Sequence, residues 1–207
     1  MKLSQVVVLS SAFCFLQSAA LAANTEWKLD PAHTKAAFAV KHMMVSNVHG
    51  EFGKVSGTVH YDGKTLGDSG VSAVIDVSSI NTNEPQRDQH LKSADFFDAA
   101  KYPTITFKSK KVESDPDGFK IIGDLTMHGI TKPVTLTAES LPPPIKDPMG
   151  FLRTGTEART KVNRKDFGIA FNTVMDNGGA LVGDDVDITI EAELIQKPST
   201  AENNGTL

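Results

Sequence analysis

Apolar and polar residues alternate with a period of two along most of the chain beyond residue 25. In TKAAFAVKH the residues Ala36, Phe38, Val40 and His42 fall on one face, and GFKIIGDLTMHG and DVDITIEAEL repeat the pattern. This alternation, carried largely by Thr, Val and Ile, is typical of half-buried β-strands. About eight such segments are separated by turn signals such as YDGK, PDG and DNGG. The pattern predicts an all-β sandwich or an up-and-down barrel.

One segment, at about residues 83–100, departs from this alternation. Asn83 is suited to cap a helix, and Pro85 is tolerated in a first turn, so PQRDQHLK is predicted to be a short helix. Ser93 is predicted to cap a second helix in ADFFDAA, which ends before Pro103. The acidic residues of that second helix would then favour its N-terminus through the helix dipole. The segment is therefore predicted to be a helical insertion between two strands.

The first residues have the pattern of a secretion signal. Lys2 precedes the apolar stretch VVVLSSAFCFL, which is too short to span a bilayer, and ALA ending at Ala22 matches a cleavage site. We expect a cleaved signal peptide at residues 1–22, a single domain at 23–197 and a disordered tail at 198–207.

Composition excludes several kinds of function. The single cysteine, Cys14, lies in the signal, so the secreted chain has no disulfide, cysteine nucleophile or thiolate metal site. Removal of Lys2 with the signal leaves 20 basic and 25 acidic residues, which argues against general nucleic-acid binding. The sequence contains no G-x-S-x-G, Walker or H-E-x-x-H motif, and its six histidines lack the close spacing of a metal site.

His42 is the histidine that the alternation places among apolar neighbours. Because it shares a face with Phe38 and Val40, it is expected to point into the interior. A buried imidazole needs hydrogen-bond partners. His42 is therefore either a satisfied core histidine or a polar anchor for a ligand.

A second polar group lies in the predicted helix. Arg87 and His90 are three residues apart and face the same side, and Asp88 is able to pair with either. The group either ties the helix to neighbouring strands or contacts the head of a ligand at a cavity mouth. Farther along, Phe96 and Phe97 are adjacent, so one is expected to pack inward and the other to line a cavity.

Several motifs, taken in order, identify a resemblance to a known family. They are WKLDPAHTKAAFAVKHMMVSNVHGEF, INTNEPQRDQHLKSADFFDAAKYPTITFKS, GDLTMHGITKPVTL, VNRKDFGI and GDDVDITIEAEL. Over about residues 26–195 the chain resembles the YceI-like family of secreted, lipocalin-like lipid-binding proteins. The resemblance implies an extended eight-stranded antiparallel lipocalin-like barrel with a short helical insertion. It also implies a long apolar tunnel for a polyisoprenoid or fatty-acyl chain, and no catalytic activity.

The function expected from this resemblance is that of a periplasmic carrier for an amphiphile with a long apolar chain. An eight-stranded barrel has room for one slender ligand. We expect a long-chain lipid as partner, no cofactor beyond it, no metal and no nucleic acid; transient membrane contact and a homodimer stay open. The alternatives are a hydrolase or isomerase that uses His42 or the Arg87, Asp88 and His90 group, and a histidine-based metal-binding protein.

The residues predicted to contact the ligand lie on inward strand faces, in the helical insertion and in the FGIAF segment. They are Phe38, Val40, His42, Arg87, His90, Phe96, Phe97, Phe107, Phe119, Ile121, Leu125, Phe167 and Phe171.

Overall fold

Almost all of the segments with period-two alternation form β-strands. The structure is a computed structural model that describes residues 26–176 and 178–196. The expectations for the signal peptide at 1–22 and for the tail at 198–207 lie outside the described residues. The strands are β1 (Glu26–Leu29), β2 (Lys35–His42), β3 (Ser46–Phe52), β4 (Val55–His60), β5 (Gly70–Asp76), β6 (Ile80–Asn81), β7 (Thr104–Asp115), β8 (Gly118–Met127), β9 (Ile130–Glu139), β10 (Ile145–Lys146), β11 (Leu152–Asn163) and β12 (Val182–Gln196). The helix α1 spans Pro85–Lys92, and short 3-10 turns lie at Val77–Ser79 and Arg164–Phe167.

Eight of these strands close into a barrel. Every neighbouring pair is antiparallel, in the order β11-β9-β8-β7-β5-β4-β1-β12, and the ring closes because β12 pairs with β11 from Leu152↔Gln196 to Asn163↔Asp185. The predicted all-β, eight-stranded antiparallel barrel is therefore confirmed.

One long strand supports both the barrel and an extension at its end. Along its other edge, β12 pairs with β2 between Val182 and Glu191, and with β1 near Leu194. The β2–β3 hairpin therefore continues the wall beyond the reach of β1, and β6 pairs with the end of β3. The helix α1 follows β6 directly, which places it at the same end.

The predicted insertion contains one helix, and the predicted second helix is wrong. Glu84 rather than Asn83 caps α1, since its side chain accepts a hydrogen bond from the Gln86 amide. Beyond Ser93 the amides fold back onto the end of α1: Phe97 N donates to Leu91 O at 3.0 Å. These hydrogen bonds replace the repeating pattern that a second helix would need, so residues 94–101 form turns.

The buried side chains lie inside the barrel and under the extension. Phe52, Val77 and Phe167 belong to the cluster at the helix end, whereas Trp27 and Leu194 belong to a second cluster toward the other end of β12. None of the helices in the described part of the chain is long and apolar enough to cross a membrane.

Candidate ligand-binding cavity

The inward faces of the strands enclose a cavity of about 520 Å³, and its wall is almost entirely apolar. This volume falls within the roughly 300–1,000 Å³ range of small-molecule sites. The wall takes side chains from strands around the barrel, for example Ile121 on β8 and Leu136 on β9, and from α1 with the turns after it. The barrel interior is thus not filled by its own side chains, which leaves room for an apolar ligand.

Twelve of the thirteen residues predicted to contact a ligand lie in the cavity wall. They are Phe38, Val40, His42, Arg87, His90, Phe96, Phe97, Phe107, Phe119, Ile121, Leu125 and Phe171. Contact with a ligand stays a prediction for each of them.

Phe167 lies outside the cavity wall, so its predicted place there is wrong. It ends the 3-10 turn Arg164–Phe167, and only 2% of its surface is exposed. The chain then reverses at Gly168, whose φ of 74° is left-handed. This turn directs Phe167 into the core cluster with Met127 and Ile169 instead.

Two groups of aromatic rings form the wall near α1. Phe52 contacts Phe38 at 5.8 Å and Phe97 at 5.6 Å between ring centroids. Phe96 and Phe171 are 4.9 Å apart. Phe96 and Phe97 both line the cavity, contrary to the expectation that only one would, because they lie in a turn and not in a regular helix.

Arg87 lines the cavity, but most of its hydrogen bonds hold the protein together. Its Nε donates to Thr82 Oγ1 at 2.8 Å, and its Nη2 donates to Thr82 O at 2.9 Å. Asp88 Oδ1 accepts from the amide and hydroxyl of the same Thr82, at 2.9 and 2.6 Å. The pair therefore ties α1 to the end of β6. Of the three guanidinium nitrogens of Arg87, Nη1 alone has no acceptor among the residues that the structure describes.

His90 forms a polar and aromatic junction that the sequence did not predict. Its Nε2 lies 2.8 Å from Asp95 Oδ2, and its ring meets those of Phe96 and Phe171 edge-on at 5.0 and 4.9 Å. Asp95, an acidic residue of the predicted second helix, lies instead in the turn that follows α1. The spacing of five residues across a helix end was the available signal for this contact.

His42 lies at the end of β2, half-buried and in the cavity wall. Its ring makes no hydrogen bond to another residue within 26–176 and 178–196, and its ring nitrogens are accessible because no buried side-chain nitrogen or oxygen there lacks a partner. The reading as a satisfied core histidine is therefore less suitable than the reading as a polar group that a ligand can approach.

Arg164 is a buried cation in the cavity wall that sequence reasoning missed. Only 4% of its surface is exposed, and burial lowers the pKa of its guanidinium. It donates hydrogen bonds to the carbonyls of Gly183, Ile169 and Phe171 at 2.7–2.8 Å, and Asp184 lies 3.4 Å away. Arg164 therefore organises the loop between β11 and β12. Strand alternation provided no signal for it, because Arg164 lies just beyond the end of β11, in a 3-10 turn.

A charged cluster lies near the other end of β12. The ligand atoms of Asp30, His33 and Glu193 are within 4.8 Å of one another, which is the spacing of a metal site. Arg153 already binds two of these carboxylates, through Nη1 to Asp30 at 2.7 Å and to Glu193, and its Nε binds Asp147 at 2.8 Å. Hydrogen bonds from Arg153 and then His33 lower the pKa of Asp30 to about 2. The cluster is an ion-pair network that joins two loops to β12.

Comparisons with known sequences agree with this barrel and cavity. A family model described as "YceI-like domain" matches residues 27–194. Protein YceI of Escherichia coli O17:K52:H18 is 37% identical over 197 residues, which cover 95% of this chain and 100% of that protein.

Solved structures with the same fold include the YCEI protein of Campylobacter jejuni. It is 33% identical with a TM-score of 0.63, and the match covers 76% of this chain and 90% of that one. A polyisoprenoid binding domain from Saccharophagus degradans matches with a TM-score of 0.58 over 83% of this chain and 98% of that one. At 16% identity, this last likeness shows the fold alone.

Proposed function

The chain belongs to the YceI-like family, and we propose that it binds an amphiphile with a long apolar chain inside its barrel and carries it without catalysing a reaction. The observation that carries this proposal is the cavity of about 520 Å³ with its apolar wall. A polar substrate would lose its hydration in such a cavity without compensation, whereas an alkyl or prenyl chain gains by leaving water.

The energetics of burial suit a carrier. Each methylene that leaves water contributes about 0.8 kcal/mol, so a long chain has a large driving force to enter the barrel. A bilayer interior offers nearly the same gain, so transfer between membrane and cavity costs little in either direction. A protein with such a cavity is therefore able both to load and to release its ligand.

The polar head of the ligand is best placed at the end of the barrel where α1 and the β2–β3 hairpin lie. His42, Arg87 and His90 all line the cavity there. Arg87 Nη1 and the His42 ring make no hydrogen bond to another described residue, so both are free to bind the head. These two groups are the proposed contacts of the head, whereas His90 would contact the ligand through its ring.

A polyisoprenoid is the first ligand to test. One protein of the same fold is described as a polyisoprenoid binding domain, and the branched methyl groups of a prenyl chain suit a wall of aromatic rings. The signal-like first 22 residues support a periplasmic location, where such a carrier would exchange lipid with membranes.

Mass spectrometry of the purified protein tests the proposal. Native spectra should show a mass excess that denaturing spectra lack, and organic extraction should release a long-chain lipid. A protein that is empty, and that takes up no added polyisoprenoid or fatty acid, would refute the proposed function.

Two substitutions on one strand of the barrel sharpen this test. Ala138 is 3% exposed and lines the cavity, whereas its neighbour Thr137 faces solvent. Ala138→Phe fills the cavity and should abolish lipid occupancy, and Thr137→Phe should leave it unchanged. Circular dichroism shows whether both variants fold. If the Ala138→Phe protein does not fold, the smaller substitution Ala138→Val replaces it in the test.

A further inference from the structure

An exposed apolar tip stands at the hairpin that carries His42. The turn between β2 and β3 presents Met43, Met44 and Val45 with 44%, 62% and 79% of their surfaces exposed. Val174 on the neighbouring loop is 78% exposed. Soluble proteins expose such side chains singly, whereas a group of them marks an interaction site.

The backbone of this turn is unfavourable for the residues that occupy it. Met43 and Met44 have φ of 51° and 59°, and two consecutive left-handed residues make the kind of hairpin turn that favours Asn-Gly. Bulky L-residues pay a conformational cost in this region. Because Asn and Gly would form the turn more easily, the apolar side chains themselves are what the position requires.

The tip is continuous with the wall of the cavity. His42 and Leu181 line the cavity, and Met43 N donates to Leu181 O at 2.8 Å. The wall therefore reaches the surface where the apolar side chains begin. Leu181 N also donates to Thr173 O at 3.0 Å, so the neighbouring loop, which a bridge between Val174 and Ala180 closes, lies beside the tip.

The size and charge of the tip indicate what it contacts. Four side chains are far fewer than the roughly 20–30 residues that each partner contributes to a stable protein interface. Residues 36–50 contain no Asp or Glu but include the exposed Lys41, which suits lipid phosphates. Asp176 on the neighbouring loop offsets part of this attraction, so apolar insertion is the main contribution.

We propose that Met43, Met44, Val45 and Val174 insert into the surface of a phospholipid bilayer and bring the part of the cavity wall that His42 and Leu181 form against the lipid phase. This inference rests on the proposed function for its purpose, because it names the surface with which the cavity exchanges its ligand. Vesicle binding is measured separately from lipid occupancy, so either one can fail alone.

The experiment is flotation of the protein, without its signal peptide, with vesicles of phosphatidylcholine and a minor fraction of phosphatidylglycerol. The double variant Met44→Asp with Val45→Asp should lower the vesicle-bound fraction on the order of tenfold, since two apolar side chains no longer leave water. Added salt should have little effect on the unsubstituted protein.

A matched control lies at the opposite end of β12. Ile145 and Met149 are 69% and 73% exposed, near the Arg153 network. Ile145→Asp with Met149→Asp should leave flotation unchanged. An equal loss in both double variants, or no loss in the tip variant, overturns the proposal.

A second variant separates the side chains from the turn. Met43→Asn with Met44→Gly supplies the residues that a left-handed turn favours, so it should preserve or raise thermal stability while it weakens flotation. Retained flotation in this variant also overturns the proposal. Native mass spectrometry reports independently whether the cavity holds a lipid. A protein that binds vesicles but never holds a lipid in its cavity would refute the proposed function and still support membrane insertion of the hairpin tip.

Discussion

Arg87 and Thr82 are joined by two hydrogen bonds, from the guanidinium Nε to the Thr82 hydroxyl and from Nη2 to the Thr82 carbonyl. Thr82 is 4% exposed, and Asp88 binds its amide and hydroxyl. One buried threonine thus fixes the position of α1 over the end of the barrel. These polar contacts matter because α1 has no fully buried residue and only Leu91 packs partly against the core cluster.

Removal of this tie should destabilise the protein. Arg87→Met leaves the buried Thr82 carbonyl without its donor, so the free energy of unfolding should fall by about 1–3 kcal/mol. Urea unfolding of the lipid-free protein measures the change. Gln89→Met, on the exposed side of the same helix, is the control and should have little effect. Unchanged unfolding together with lower lipid occupancy would instead show that Arg87 acts mainly on the ligand.

Phe38 packs directly over Gly50, and this contact should limit what β3 tolerates. A Cβ at Gly50 would fall inside contact distance of the Phe38 ring and 2.7 Å from Thr82 Cγ2. Gly50→Ala should therefore cost about 1–3 kcal/mol through overpacking, and it should push the ring into the cavity. Thermal unfolding and lipid occupancy measure the two effects. Gly53→Ala is the matched control, because nothing lies within 4 Å of its added methyl group.

His42→Phe tests the polar anchor. The substitution keeps an aromatic ring in the wall but removes the hydrogen-bonding nitrogens, so affinity for a ligand with a polar head should fall by up to about tenfold. Fluorescent fatty-acid or prenol titration measures the affinity. His49→Phe, on an exposed position of β3, should behave like the unsubstituted protein. A His42→Phe protein with full affinity would show that the head lies elsewhere.

The Arg153 network should make stability depend on pH in the acid range. The pKa of Asp30 is lowered from 3.8 to about 2, so the folded protein holds this carboxylate charged where the unfolded chain would protonate it. The resulting stabilisation is fully present above about pH 4 and is lost as the pH falls through 2. Urea unfolding at several pH values between 5 and 2 should show this decline. In Arg153→Met the protein should be less stable at neutral pH, and the decline should be shallower.

Local patterns of the sequence predicted the strands and most of the cavity wall. The alternation of Phe38, Val40 and His42 was sufficient to place all three in the cavity wall, because successive side chains of a strand point to opposite faces and β2 continues the wall along β12. Arg164 was not predicted, because it lies just beyond the end of β11, in a 3-10 turn where strand alternation no longer sets the direction of the side chain.

Features that depend on distant partners were not predicted. Asp30 and Arg153 are 123 positions apart, so their pairing exists only once the barrel closes. The prediction of a second helix was wrong for a related reason. The carbonyls of Leu91 and Ser93 accept hydrogen bonds from the amides of the following turn, and these bonds interrupt the helical pattern. Phe167 was misplaced because a glycine turn, and not a strand, sets its direction.

The cavity that the barrel's own side chains leave open would make the lifetime of the protein depend on the proposed ligand. Any ligand that binds only the folded state adds to its stability by mass action, about 2.7 kcal/mol at a concentration one hundred times the dissociation constant. Empty molecules would then open more often than loaded ones, and a protease that cuts opened chains would remove them first. The amount of this protein that persists would therefore follow the supply of the proposed lipid ligand.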